Sequence, residues 1–262
     1  MTTLADLHAA TDQRFTARNF ALESAGALPE MTLIFDTYGR LAADGANAVL
    51  VTHGYTGSHR AAGPPTPANP AGGWWQGLIG PGLAIDTNRY FVVSSNMLGS
   101  SYGSTGPSSV NPATGKPYGP DFPDITLGDI VRAQRLMLDS LGVRHLIAVA
   151  GQSFGGFQAF QWAISYPDFM EGIVASVTAP KGSGGEASVK ALIAQLAADP
   201  NWNGGWHYER GGIPATMTAL RMETLTRYGT KEILAATVAD PREREVRMRE
   251  MAERWAREFD PN

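Results

Sequence analysis

The chain has 262 residues, 43% of them apolar and 18% charged, with no cysteine and a formal net charge of −4. That composition supports a substantial buried core. It excludes disorder, disulfides, thiolate metal sites and a cysteine nucleophile, and it offers no electrostatic footprint for nucleic acid or an anionic membrane.

Residues 1–10 have neither a basic start nor an apolar core, and no apolar run reaches membrane-spanning length, so a soluble cytoplasmic protein is expected. Residues 1–30 are mixed in character and read as a loosely attached arm. Met31 to Tyr38 alternates and ends at Gly39, which predicts a half-exposed strand. Residues 42–47 read as a polar turn, and Ala48-Val49-Leu50-Val51-Thr52 as a strand covered on both faces. It opens into His53-Gly54-Tyr55-Thr56-Gly57, followed by a Pro/Gly/Ala-rich loop over residues 61–73. Residues 74–82 are aromatic and glycine-rich, and Tyr90 to Ser95 predicts another buried strand. The Gly/Ser/Pro-rich stretch 99–124 is too long to be filler in a compact domain.

Thr126 with Asp129 has the spacing of a capping box, and Ile130, Ala133, Met137 and Leu141 line one face of a helix that Gly142 stops. The run Leu146-Ile147-Ala148-Val149-Ala150 then leads into Gly151-Gln152-Ser153-Phe154-Gly155-Gly156, and an apolar helical pattern from Phe157 to Ile164 stops at Tyr166-Pro167. Strand, small-residue turn, helix is the context in which G-x-S-x-G marks a nucleophile elbow. The turn forces the serine into strained backbone geometry. Glycines on either side remove the collisions, and the hydroxyl is held above a helix N-terminus that favours negative charge. Ser153 is the candidate nucleophile. Residues 172–178 predict a further buried strand. Strands alternating with helices predict a mostly parallel sheet with helices on both faces, and ligands on such sheets bind at the strands' carboxyl ends. From residue 181 onward the pattern is helical, over 187–198 and 214–258, and reads as a lid. The expected division is a core over residues 1–180 and a helical lid over 181–262. Gly182-Ser183-Gly184-Gly185 lacks the Gly-Lys-Ser/Thr of a phosphate loop and reads as a linker.

The stretches Gly73-Trp74-Trp75 with Leu78-Ile79-Gly80-Pro81-Gly82, Ala84-Ile85-Asp86-Thr87-Asn88-Arg89-Tyr90-Phe91, Tyr102-Gly103-Ser104-Thr105-Gly106-Pro107-Ser108-Ser109, Asn111-Pro112-Ala113-Thr114-Gly115-Lys116-Pro117-Tyr118-Gly119, the elbow, and Asp199-Pro200-Asn201-Trp202-Asn203-Gly204-Gly205 resemble the homoserine O-acetyltransferase branch of the α/β-hydrolase superfamily. The resemblance implies an α/β-hydrolase core with a helical lid. It matches Ser153 to the nucleophile, the N–H groups of Phe154 and Tyr55 to the two oxyanion donors, and Arg221 and Tyr228 to residues that hold the acceptor's carboxylate. It also implies no bound cofactor, an acyl-coenzyme A co-substrate, a small-molecule acyl donor and acceptor, and a homodimer through the lid helices.

The chain departs from the family in three places. It has His-Gly-Tyr where the family usually has His-Ala-Leu, and Gly-Gln-Ser-Phe-Gly where the acetyltransferases usually show Gly-Gly-Ser-Met-Gly. Both lean toward hydrolase-like members. In this superfamily the acid and histidine follow the nucleophile, yet the only histidine after Ser153 is His207. The expectation is therefore a fragment whose C-terminal core strands, with the catalytic acid and base, are missing. His53 reads as orienting its turn, His59 as the best stand-in base, His145 as structural or exposed, and His8 as part of the arm. No histidine–carboxylate spacing predicts a metal. The readings to be separated are an acyltransferase acting on an amino-acid hydroxyl such as that of homoserine, a serine ester or amide hydrolase, and a non-catalytic binding module.

Overall fold

The computed structural model describes residues 3–24, 26–66, 69, 71–182 and 185–262. The chain divides into two compact units, Met1–Lys116 with Pro123–Gly182, and Ser183–Asn262 with Pro117–Phe122.

The first unit is built on a six-stranded sheet in the order β1-β2-β6-β3-β7-β8. Its strands are β1 (Ala10–Ala21), β2 (Ala27–Tyr38), β3 (Ala48–Thr52), β6 (Phe91–Ser95), β7 (Leu146–Gln152) and β8 (Ile173–Ser176), and the two-residue strands β4 (Ile79–Gly80) and β5 (Ile85–Asp86) pair separately. β6, β3, β7 and β8 run parallel; β1 and β2 join antiparallel. All five β3 residues are buried. Each fully buried Val or Leu contributes about 1.5–3 kcal/mol, so the middle of the sheet is its most stable part.

The face carrying Val49, Val51 and Val92 is covered by Leu7, Ala61, Ala62 and Ile79, with Trp74 and Trp75 packed alongside. This unit holds the α-helices α1 (Leu127–Ser140) and α2 (Phe154–Ser165). α1 starts at the expected capping box: the Thr126 hydroxyl accepts from Asp129 N–H, and the Asp129 carboxylate accepts from Thr126 N–H. Ile130, Ala133 and Met137 are buried, and Gly142 lies at φ 81° just past the C-cap.

Three expectations are corrected here. The strand over residues 31–38 is not half-exposed: Met31 to Tyr38 are all buried, because β2 lies between β1 and β6. The N-terminal segment is not a loose arm: β1 pairs with β2 along its length, and Leu7 is in the core. Its alternation of half-buried Gln13, Phe15 and Ala17 with exposed Arg14, Thr16 and Arg18 is the mark of a strand with one covered face. β8 is not a buried strand either. Among the described residues it pairs only with β7, and Val174 is 56% exposed.

The second unit holds α3 (Glu186–Ala197), α4 (Pro214–Arg227), α5 (Thr230–Leu234) and α6 (Pro241–Glu258). Leu196, Ile213 and Met217 form one small core against Trp202 and Trp255, and Leu225, Met248 and Ala252 another. Part of the expected Gly182–Gly185 linker, residues 183 and 184, lies outside the described residues. Among the described residues no helix is long and apolar enough to cross a membrane.

Candidate active site

Ser153 lies between the last residue of β7 and the first of α2, with φ 53° and ψ −120°. Such geometry costs a non-glycine residue about 1–3 kcal/mol and persists only where neighbours enforce it. Here Ser153 N–H donates to Ser176 O at 3.0 Å, and Ser153 O accepts from Gly156 N–H at 2.9 Å. The flanking glycines answer to close approach. A Cβ on Gly155 would sit 2.1 Å from Thr52 O, and one on Gly151 2.2 Å from Gly155 O. The Ser153 side chain is exposed and makes no capping bond to α2. Its hydroxyl is thus carried out of the fold at the helix N-terminus, where positive potential favours an anion.

The turn after β3 lies against this serine: a Cβ on Gly54 would be 3.5 Å from Ser153 Cβ and 4.0 Å from its Oγ. His53 is 1% exposed, and its Nδ1–H donates to Gly54 O at 2.8 Å. Burial pushes the imidazole down to about 4, so it is neutral at pH 7. Its Nδ1 proton is held by a backbone carbonyl, which ties this buried, weakly basic imidazole to the turn. Gly57 N–H donates to the same carbonyl at 2.9 Å. Tyr55 follows, with its side chain 54% exposed. Phe154 begins α2 beside the serine. Of the expected residues, the structure therefore brings together Ser153, Phe154 and the Gly54–Tyr55 turn.

His59, the stand-in base, is engaged elsewhere. Its Nε2 lies 2.9 Å from Asp12 Oδ1 and 3.8 Å from Asp36 Oδ1. Asp36 is buried and also accepts from Asp12 N–H at 2.7 Å and from Tyr38 OH at 3.0 Å. Burial raises the Asp36 carboxyl above its ordinary value. The three side chains offer donor atoms within 4.8 Å of one another, a grouping that could hold a cation and that sequence spacing did not reveal. Its carboxylate oxygens already accept from protein donors, and His59 Nδ1 lacks the hydrogen-bond partner that usually orients a metal-bound imidazole. The cluster fits a tie between the β1–β2 hairpin and the loop after β3.

Arg221 and Tyr228 lie in the second unit. The Arg221 guanidinium sits 5.2 Å from the centre of the Trp255 ring, while Tyr228 caps α4 and is 63% exposed. His207 lies 3.5 Å from Asp260 Oδ1 and stacks on Trp202 at 5.8 Å. Tyr208 OH donates to Asp260 Oδ2 at 2.5 Å. The Asp260 carboxyl is raised by burial but lowered further by its bonds to His207 and Tyr208, and ends below its ordinary value.

The alpha/beta hydrolase fold family matches residues 47–258. A homoserine O-acetyltransferase of Moorella thermoacetica is 46% identical over 192 residues, 73% of this chain and 51% of that protein. Among solved structures, esterase E22 superposes with a TM-score of 0.77 at 32% identity, over 95% of this chain and 74% of that one. The homoserine O-acetyltransferase from Bacillus anthracis superposes with a TM-score of 0.74 at 30% identity, over 92% and 70%. The chain spans about half the length of the curated relatives it matches.

Proposed function

This chain belongs to the homoserine O-acetyltransferase family of the alpha/beta hydrolase fold, and from that premise we propose that it carries the nucleophile and oxyanion elements of a two-step acyltransferase. In the first step Ser153 Oγ adds to the acyl carbonyl carbon of a coenzyme A thioester, and its proton passes to a general base of imidazole type. The tetrahedral oxyanion takes hydrogen bonds from the Phe154 and Tyr55 N–H groups. The C–S bond breaks and the thiol leaves with the proton. In the second step the hydroxyl of an amino acid such as homoserine attacks the acyl-enzyme, the bond to Ser153 Oγ breaks, and the serine recovers its proton. Arg221 and Tyr228 bind the acceptor's carboxylate in this reading, since a guanidinium fork matches a carboxylate in two parallel bonds.

The observation that carries the proposal is Ser153 itself, a serine held in costly backbone geometry at a helix N-terminus with its hydroxyl exposed. Strain of that kind is kept where it aims a reacting atom. A second reading, ester hydrolysis with water as acceptor, draws support from the likeness to esterase E22 and from the Gly-Gln-Ser-Phe-Gly elbow. The two part on one experiment. The full-length protein is given acetyl-coenzyme A with and without L-homoserine, and separately a simple acetyl ester. O-acetylation that saturates with homoserine supports transfer. Ester cleavage indifferent to homoserine supports hydrolysis. If Ser153→Ala leaves both rates unchanged, both readings are wrong.

A further inference from the structure

A series of buried polar side chains links α1 and α2. Gln134, Gln158 and Trp162 are each 0% exposed there. Trp162 Nε1–H donates to Gln134 Oε1 at 2.8 Å, and Gln134 Nε2 donates to Gln158 Oε1 at 2.8 Å. Gln158 Nε2 donates to Met97 Sδ at 2.8 Å and to His53 O at 3.4 Å. Two buried amides are expensive unless their polar atoms are matched, and apolar side chains of the same length would fill the space as well. Packing alone therefore gives no reason for them.

The polarity of the chain of bonds does. An indole N–H can only donate, so Trp162 fixes the sense of the Gln134 amide, and the NH2 of Gln134 must face Gln158. That in turn fixes Gln158 with its carbonyl toward Gln134 and its NH2 toward His53 O. The series delivers a donor, never an acceptor, to the first carbonyl of the turn that packs against Ser153. The next carbonyl, Gly54 O, is held by His53 Nδ1 and by Gly57 N–H. In a trans peptide the N–H lies opposite the C=O, and no cis peptide bond occurs among the described residues. Drawing Gly54 O back into the turn therefore directs the Tyr55 N–H outward.

We infer that Gln158 is a positioning residue, which with Gln134 and Trp162 behind it sets the turn that presents the Tyr55 N–H. The inference rests on the reading of Tyr55 as an oxyanion donor. It places a determinant of the rate on the buried side of α2, away from any substrate.

The test compares three proteins with the wild type at full length. Gln158→Met keeps the shape and removes the donor; kcat for acyl transfer or ester cleavage falls about 10- to 100-fold, less than or near the loss of a whole oxyanion donor, while KM stays within about threefold. Trp162→Phe touches nothing at the turn but releases the sense of both amides, and lowers kcat in the same direction. The triple variant Gln134→Met, Gln158→Met, Trp162→Phe removes all the matched groups together, so its thermal midpoint returns toward wild type while kcat stays low. Recovery of kcat along with the midpoint overturns the inference, as does a Gln158→Met enzyme within threefold of wild type. If the wild type neither transfers nor hydrolyses, the proposed function fails and the amide of Tyr55 becomes the readout. Its NMR resonance shifts and its hydrogen exchange quickens in Gln158→Met if the positioning is real; unchanged signals refute it.

Discussion

At residue 153 the fold holds a side chain in a backbone conformation that most side chains avoid, at φ 53° and ψ −120°. Ser153→Gly removes the Cβ that makes this costly. The relief, about 1–3 kcal/mol, outweighs the entropy a glycine adds to the unfolded chain, about 0.5–1 kcal/mol. A net gain of about 1 kcal/mol is expected in urea unfolding, together with loss of acyl transfer. A variant that is less stable than wild type would mean the strain is not stored at this position. The elbow was legible in the sequence because everything that makes it lies within six residues, Gly151 to Gly156. The groups around it were not. His59 meets Asp12 and Asp36 across 47 and 23 positions of chain, and Gln158 reaches His53 O across 105. Polar residues on a helix read as solvent-facing until packing shows otherwise. Gln134 and Gln158 look, in sequence, like any exposed glutamine.

Among the elements, α1 was legible at both ends because caps are local chemistry: Thr126 and Asp129 begin it and Gly142 ends it. Strand position within the sheet is a different kind of information. β3 and β8 both read as short buried strands, over residues 48–52 and 172–178, yet among the described residues β3 has neighbours on both sides and β8 on one. Nothing in a short apolar run distinguishes these cases, because the difference lies in what pairs with it. The consequence is physical. Among the described residues the outer side of β8 pairs with no strand, Val174 is 56% and Val177 88% exposed, and Ile164 of α2 is 74% exposed. An uncovered apolar edge is a template for pairing with another chain. The 262-residue chain is expected to self-associate at roughly 100 µM, and Val174→Lys to suppress this by placing a charge on the edge. Sedimentation velocity measures it; equal association of both proteins would show that β8 is not the surface involved.

Across the whole molecule the two units respond to acid through different groups. His53 has a folded value of about 4 against about 6.5 when unfolded. Between those values the unfolded chain binds the extra proton, so the stability His53 gives the first unit is complete above about pH 6.5 and is lost as pH falls toward 4. The loss is at most about 3 kcal/mol. Asp36, in the same unit, has a raised value and works in the opposite sense. Asp260 in the second unit is depressed by the bonds from His207 and Tyr208, which outweigh its burial. What it contributes is complete above about 3.9 and is lost only as pH falls through its lower folded value. Acidification from pH 7 to about 4.5 should therefore weaken the first unit while the second holds. Hydrogen exchange followed by segment, corrected for intrinsic rates, should show protection falling in β3, β7 and α2 and persisting in α4 and α6. If α4 and α6 open first, burial of a neutral His53 is not what limits the first unit in acid. In a His53→Gln protein the first unit should lose its extra sensitivity over the same range, since the group that must take up the proton on unfolding is gone.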